Sequence, residues 1–390
     1  MTTVERLTHA DFAAGVERRV CERCVVLLDK LRRSEIMPFA TESRVASVSA
    51  GVVSSLEISD LKNPFNGPWV MTQVRAYTST GLNGTASGAI GPNLTLRLVD
   101  NDRQKPLFKR SASISAVVAL DSNTWELDRP HVLGPAGSLY AQIDNVAAPP
   151  NGIWMGFLGE VVLGGHISAA EVREAIGLGV YPTSRWRAGA WSQSALLPLL
   201  MSDEPVCETA AGEWLRWELR ARIAELRLKL ATAVIQPYVL ASTPITNIPS
   251  GASRPVPIAF LRNDSAFPIV FTKVVVSTVS ADAASSIGSV FNNISLYAQL
   301  IGGNDDRYVT WRKMLAPTFV DRATNTWIFD RPCLIKTDEA IRLVASDEAV
   351  NATTDVYAAF HGFTIGGLSA DEVRECIALG LFSAWARSGD

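Results

Sequence analysis

Apolar positions along this chain change period within each half. From Asp11 to Ile36, and again from Pro205 to Val234, they recur at helical spacing, most clearly at Leu215, Leu219, Ile223, Leu226 and Leu230. Such a stripe predicts an amphipathic helix in each half. Glu218 with Arg222 and Glu225 with Lys229 supply i,i+4 pairs on the polar side of the second, and Pro237 ends it. Trp214 and Trp217 widen its apolar face. The simplest expectation is that this helix lies across a sheet and buries both rings. The alternative is that the long helices of the two halves pack together or dock on another subunit.

After each long helix the period drops to two. Val70, Thr72, Val74 and Ala76 are answered about 200 residues later by Val270, Thr272, Val274 and Val276. Leu94, Leu96 and Leu98 are answered by Ile294, Leu296 and Ala298, and Ile153, Met155 and Phe157 by Val356, Ala358 and Phe360. Alternation broken by Gly, Pro, Asn and Asp predicts antiparallel β-sandwiches over 45–165 and 246–367, with six to eight strands each. No strand-helix alternation occurs inside them, which excludes a doubly wound parallel sheet. The Gly- and Ser-rich loops Ser79–Asn93 and Ser277–Asn293 lie at matching places and are expected to be exposed contact surfaces.

A short helix closes each half. Ser168 caps with Glu171 and Ser369 with Glu372, each a capping box, and Gly179 and Gly380 supply the left-handed stop. An apolar tail with a tryptophan follows, Trp186 in one half and Trp385 in the other. The expected fold is therefore mainly β with flanking α-helices: a tandem duplication of a helix, an antiparallel jelly-roll-like β-sandwich and a short helix. The repeats run over 1–190 and 191–390, with the second long helix at 205–235.

The strongest repeated motif is Asn123-Thr124-Trp125-Glu126-Leu127-Asp128-Arg129-Pro130, which returns as Asn325-Thr326-Trp327-Ile328-Phe329-Asp330-Arg331-Pro332. Asn-Thr suits a turn, Trp fills a sandwich, Asp-Arg satisfies loop backbone groups, and Pro fixes φ where a strand begins. A catalytic reading would make the aspartates acids and the arginines anion clamps. No histidine repeats with the box to serve as a tunable base, so the structural reading is preferred.

Composition narrows the classes further. With 390 residues, 47% hydrophobic and 19% charged, the chain can fill two cores and is not of disordered type. A net charge of -3 leaves no footprint for direct nucleic-acid binding. The absence of a long apolar run argues against a membrane partner, and synthesis in the cytoplasm is expected. Five cysteines, Cys21, Cys24, Cys207, Cys333 and Cys376, form no repeated framework and read as reduced thiols. His9, His131, His166 and His361 lack metal-ligand spacing. The acidic turns Asp100-Asn101-Asp102 and Asn304-Asp305-Asp306 are better explained as hairpin turns than as calcium ligands. No glycine-rich phosphate loop occurs, and no cofactor is expected.

The segments Trp125–Ala141 with Ile153–Gly165, and Trp327–Ala345 with Val356–Gly367, share one pattern: aromatic, Asp-Arg-Pro, apolar strand, polar gap, apolar strand ending in Gly. In this the chain resembles β-sandwich virion structural proteins of tailed bacteriophages, including the cement or decoration proteins of the head. The resemblance implies a non-enzymatic role in the virion, with the major capsid protein and other virion proteins as partners and self-association as a further option. Fusing two copies would give a pseudo-dimer whose halves diverge to meet unlike neighbours. Two other classes share parts of the pattern: a double jelly-roll major capsid protein, and a carbohydrate- or receptor-binding β-sandwich of a tail or fibre.

Overall fold

The computed structural model describes residues 9–48, 53–54, 61–80, 94–100, 105–107, 112–118, 123–145, 151–181, 200–241, 245–248, 256–280, 294–301, 307–310, 314–321, 323–347 and 354–382. Among the described residues the protein is mainly β, with four antiparallel sheets and flanking helices. It divides into two units, and the division follows the type of secondary structure. One unit gathers Met1–Ile36, Leu163–Ala233 and Gly367–Asp390, and the other gathers Met37–Val162 and Val234–Gly366. Residues 1–190 and 191–390 each contribute to both.

The β unit begins with β1 (Glu35–Val48), β2 (Val53–Ser54), β3 (Trp69–Thr80), β4 (Leu94–Asp100), β5 (Lys105–Pro106) and β6 (Ala112–Ser113). A one-turn helix α2 (Ile114–Val117) then leads to β7 (Thr124–Leu133), β8 (Leu139–Asn145) and β9 (Asn151–Leu163). One sheet runs β1-β9-β3-β7 and the other β2-β8-β4-β5, with β6 also on β4. The first strand pairs with the last, and the long strands alternate between the two sheets. That order is a jelly roll.

The second half repeats it. Its strands are β10 (Val234–Ala241), β11 (Ile245–Ile248), β12 (Val256–Arg262), β13 (Ile269–Ser280), β14 (Ile294–Ile301), β15 (Arg307–Tyr308) and β16 (Met314–Leu315). A second one-turn helix, α5 (Ala316–Phe319), precedes β17 (Thr326–Ile335), β18 (Ala340–Asp347) and β19 (Thr354–Gly366). The sheets run β10-β19-β13-β17, with β11 on β19, and β12-β18-β14-β15, with β16 on β14. Counting the two-residue strands, the described residues hold more strands per half than the six to eight expected.

Period-two alternation places the cores. Val70, Val74 and Ala76 in β3, like Val270, Val274 and Val276 in β13, are fully buried. Ile153, Met155 and Phe157 meet them in the first jelly roll, and Val356, Ala358 and Phe360 in the second. Both sheets begin some ten residues before the expected boundaries. Glu35 and Val234 already open strands, so Pro237 lies inside β10 and does not end a helix. The loops 81–93 and 281–293 lie outside the described residues.

The helical unit holds the long helices α1 (His9–Arg33) and α4 (Ala210–Thr232) and the short helices α3 (Ala169–Gly177) and α6 (Ala370–Ala378). The two long helices pack together. Leu219, Ile223, Leu226 and Leu230 are buried, as the stripe requires. Trp214 and Trp217 are not: they are 67% and 43% exposed. The guanidiniums of Arg216 and Arg220 each lie 4.8 Å from the Trp217 ring centroid, which explains how an indole stands at the surface. The expected Glu218–Arg222 pair is replaced by other partners, one of them on the same helix. Glu218 meets Arg32 of α1 at 3.2 Å, and Arg222 meets Glu225 and Glu375 at 2.8 Å each.

Both capping boxes form, with Ser168 and Ser369 accepting from the N3 amides while Glu171 and Glu372 reach back. Gly179 and Gly380 end α3 and α6 at φ +71° and +67°. Val180 and Leu381 then donate to the carbonyls of Ala175 and Cys376 at 2.9 Å, closing a Schellman turn in each half. The boxes carry a second duty. Lys30 of α1 reaches Glu171 at 2.6 Å while Arg23 reaches Glu174 at 2.8 Å, and Lys229 and Arg222 of α4 hold Glu372 and Glu375 in the same way.

Burial pushes the Glu171 carboxyl up, but its bonds from Lys30 and Ser168 outweigh that and hold it at about 2. A depressed carboxylate stabilises the fold above its ordinary range and loses that contribution as pH falls from about 4.5 toward about 2. Helical melting followed by circular dichroism should therefore fall across this window, and Glu171→Gln should flatten the dependence. The cores yield a second expectation. Trp327 is 2% exposed and sits edge-on to Phe319 and Phe329, at 5.1 and 4.8 Å between centroids. Trp327→Ala should cost about 3–5 kcal/mol in denaturant unfolding. Trp125, expected to be its equal, is only half-buried, so Trp125→Ala should cost about 1–2 kcal/mol.

Candidate functional site

The repeated box forms a bulge. Asn123 and Asn325 take φ of 55° and 54°, a left-handed turn that asparagine tolerates, and their carbonyls accept from Ala76 and Val276. The strands β7 and β17 start there and run through the prolines without a break, so Pro130 and Pro332 do not open a new strand as expected. In β7, Glu126 pairs with Gln73 and His131 with Met71. Leu127, Asp128, Arg129 and Pro130 therefore stand against Thr72 alone. In β17 the segment Phe329 to Pro332 stands against Thr272 in the same way. Both strands lie at the end of their sheet order, where a bulge and a proline disrupt few ladder hydrogen bonds. The bulge turns the Asp-Arg pair out of the sheet.

What the pair meets differs between the halves. Asp128 and Arg129 are exposed. Asp330 and Arg331 are 5% and 2% exposed because the second jelly roll sets its bulge against the first. The Thr72 hydroxyl donates to the Asp330 carboxylate, and the Arg331 guanidinium lies 3.6 Å from Glu160, which is itself fully buried. Helix α5 joins the contact. Arg75 donates to the Phe319 carbonyl at 2.5 Å, and the Thr318 hydroxyl donates to Glu42. Gly156 is needed at that place: a Cβ there would fall 2.3 Å from the Thr318 carbonyl oxygen. At the sheet edge, the Ala40 amide donates to the Val309 carbonyl at 2.8 Å beside a parallel bridge from Ala40 to Thr310.

Thr72, Arg75, Gly156 and Glu160 carry no motif and were not among the expected site residues. Comparing the halves would have marked them. Arg75 stands where the second half has Val275, and Glu160 is the one charge in the apolar run from Phe157 to Leu163, where the second half has Phe363.

The chain was also compared with known proteins. No protein-family model and no curated protein matches it. Among solved structures, one of infectious bursal disease virus, Gx strain, is 10% identical over 85% of this chain and 71% of that one, with a TM-score of 0.22. The VP2 subviral particle of the same virus is 10% identical over 88% of this chain and 73% of that one, with a TM-score of 0.23. Likenesses at this level carry no argument about the role of this chain.

Trp186 and Trp385 lie outside the described residues. Asp100 is buried with its carboxylate 3.2 Å from Nε2 of His131, while Asn101, Asp102 and the Asn304–Asp306 turn lie outside the described residues. No cluster of metal-ligating groups occurs among the described residues. The five cysteines are buried and free. Burial pushes the Cys24 thiol up to about 11, and those of Cys207, Cys333 and Cys376 up to about 12, so they stay protonated and weakly nucleophilic near neutral pH. The arrangement at the bulge is suited to adhesion: a charged pair presented on a rigid strand to a receiving sheet face.

Removing one member of a buried ion pair strands the other. Arg331→Ala should destabilise the β unit by about 3 kcal/mol, since Glu160 stays buried. Arg129→Ala, at the same place in an exposed bulge, should change denaturant stability by less than about 0.5 kcal/mol.

Proposed function

We propose that this protein is a non-enzymatic structural component of a virus particle, acting as a cement or decoration protein on a phage head. One observation carries the reading: the most strongly repeated motif of the chain forms a packing device that seats one jelly roll on another. In a cement protein, surfaces of that kind bind the major capsid protein, and a pseudo-dimer offers two unlike contact sets to a lattice of unlike neighbours. Contacts repeated over a particle gain avidity without any single contact being strong. The jelly roll itself occurs in capsid proteins and lectins alike, so the strand order alone supports both.

A second reading, a double jelly-roll major capsid protein, is favoured by the tandem order of two jelly rolls packed front to back in one unit. Expression in isolation separates the two. A cement protein stays small and binds only preformed heads, as read by co-sedimentation and by electron cryomicroscopy of decorated particles. A shell protein forms closed particles alone. A protein that does neither, and instead binds a glycan array while remaining small, would overturn both in favour of a receptor-binding role.

A further inference from the structure

The contact between the two jelly rolls is heterologous, with unlike surfaces meeting. The projecting surface is α5 with the bulge of Asp330 and Arg331. The receiving surface is the outer face of β1, β9 and β3. Because both jelly rolls share one strand order, each carries both kinds of surface. One internal contact uses one of each and leaves over the projecting surface of the first jelly roll and the receiving surface of the second.

Both remaining surfaces are open. Asp128 and Arg129 are exposed, as is Ala116 of α2, at the place where Thr318 of α5 is fully buried. On β10, Pro237, Val239 and Ala241 are exposed, Val239 at 55%, whereas Pro38 and Ala40 at the same places in β1 are buried. Register sets Pro237 beside Phe363 and Val239 beside His361, and His361 beside Lys273, so the patch continues across β10, β19 and β13 on one face.

We infer that a second copy of this chain covers this patch, the projecting surface of its first jelly roll docking head to tail on the receiving surface of the second jelly roll. This deepens the adhesive role proposed above by naming a partner, and it rests on that reading only for its meaning in a particle. The chemistry is complementary. Asp128 arrives at Thr272 beside the Lys273 ammonium, and Arg129 arrives at the Phe363 ring, a cation–π partner where the internal contact has Glu160. The receiving bulge has the same local geometry in both halves: the hydroxyl oxygens of Thr72 and Thr272 lie 3.4 and 3.3 Å from the carbonyl oxygens of Leu158 and His361. Two differences make the contact between chains the looser one. Ala359 replaces Gly156, so the short helix must ride farther from the sheet, and Val275 cannot make the hydrogen bond of Arg75. The contact therefore forms and breaks with concentration.

The test uses full-length chains carrying single surface cysteines, Asp128→Cys in one and Thr272→Cys in another, with a short bismaleimide as cross-linker. The native thiols are buried. The mixture should yield a cross-linked dimer and neither variant alone should, because unlike surfaces meet. Thr72→Cys with Asp330→Cys in one chain is the internal control and, since the two side chains are buried in direct contact, should close as a disulfide within the chain on oxidation with diamide. Sedimentation of the unmodified chain should show mass rising with concentration, and Val239→Asp should hold it monomeric without lowering its melting temperature. A mixture that gives no dimer while the control closes, a cross-link within either single variant, or a monomer at every concentration overturns the inference. Head binding by a monomer would leave the cement role standing, and cross-linking without head binding would leave only the contact.

Discussion

The buried contact of Asp330 and Arg331 with Thr72 and Glu160 fixes how one jelly roll sits on the other. Charges taken out of water are costly, and apolar side chains of the same volume would often hold two surfaces together as well or better. What a desolvated charged pair supplies is direction, since it is tolerated only where its partners stand opposite. Around it, Gly156 admits the Thr318 backbone, Arg75 takes the Phe319 carbonyl, and Ala40 pairs with the Val309–Thr310 edge. Each of these permits one position of α5 and excludes its neighbours. Attraction comes from apolar packing behind the contact, where Phe319 and Trp327 are buried edge to face.

The same eight-residue motif behaves locally in the same way in both halves and is used differently. In each, an asparagine at positive φ starts the strand and four residues bulge opposite a single threonine. Local sequence is sufficient for that, because turn chemistry and an edge position are all the bulge needs. Whether the outward pair is then buried or solvated is settled by the opposite surface. The first jelly roll offers Glu160 and Thr72, and the second carries Phe363 and Thr272 at the same register.

The helical unit shows a related economy. The capping glutamates Glu171 and Glu372 satisfy orphan amides at their own helix N-termini and also receive Lys30 and Lys229 from the long helices. Carboxylates near a helix N-terminus are favoured by its dipole, so a residue selected for capping is already poised to accept a lysine. Holding the short helices by their caps leaves part of the long-helix apolar surface uncovered. Trp214 and Trp217 stand there with arginines against one of the rings.

Sequence alone determined several features that depend on near neighbours along the chain. The capping boxes, the glycine stops, the period-two cores of β3, β9, β13 and β19, and the jelly-roll class were all legible, because periodicity and turn chemistry act over a few residues. Strand starts at Glu35 and Val234 were missed: a helix-to-strand junction without a glycine leaves no local mark. Tertiary structure alone decided that Trp214 is exposed, that Trp125 and Trp327 differ in burial, and that Asp330 and Arg331 are buried while Asp128 and Arg129 are not. The burial of Asp330 and Arg331 is a property of surfaces brought together from about 250 positions apart, as with Thr72 and Asp330. A residue's period or spacing does not record which remote face will cover it, so one motif can be solvated in one copy and serve as an interface in the other.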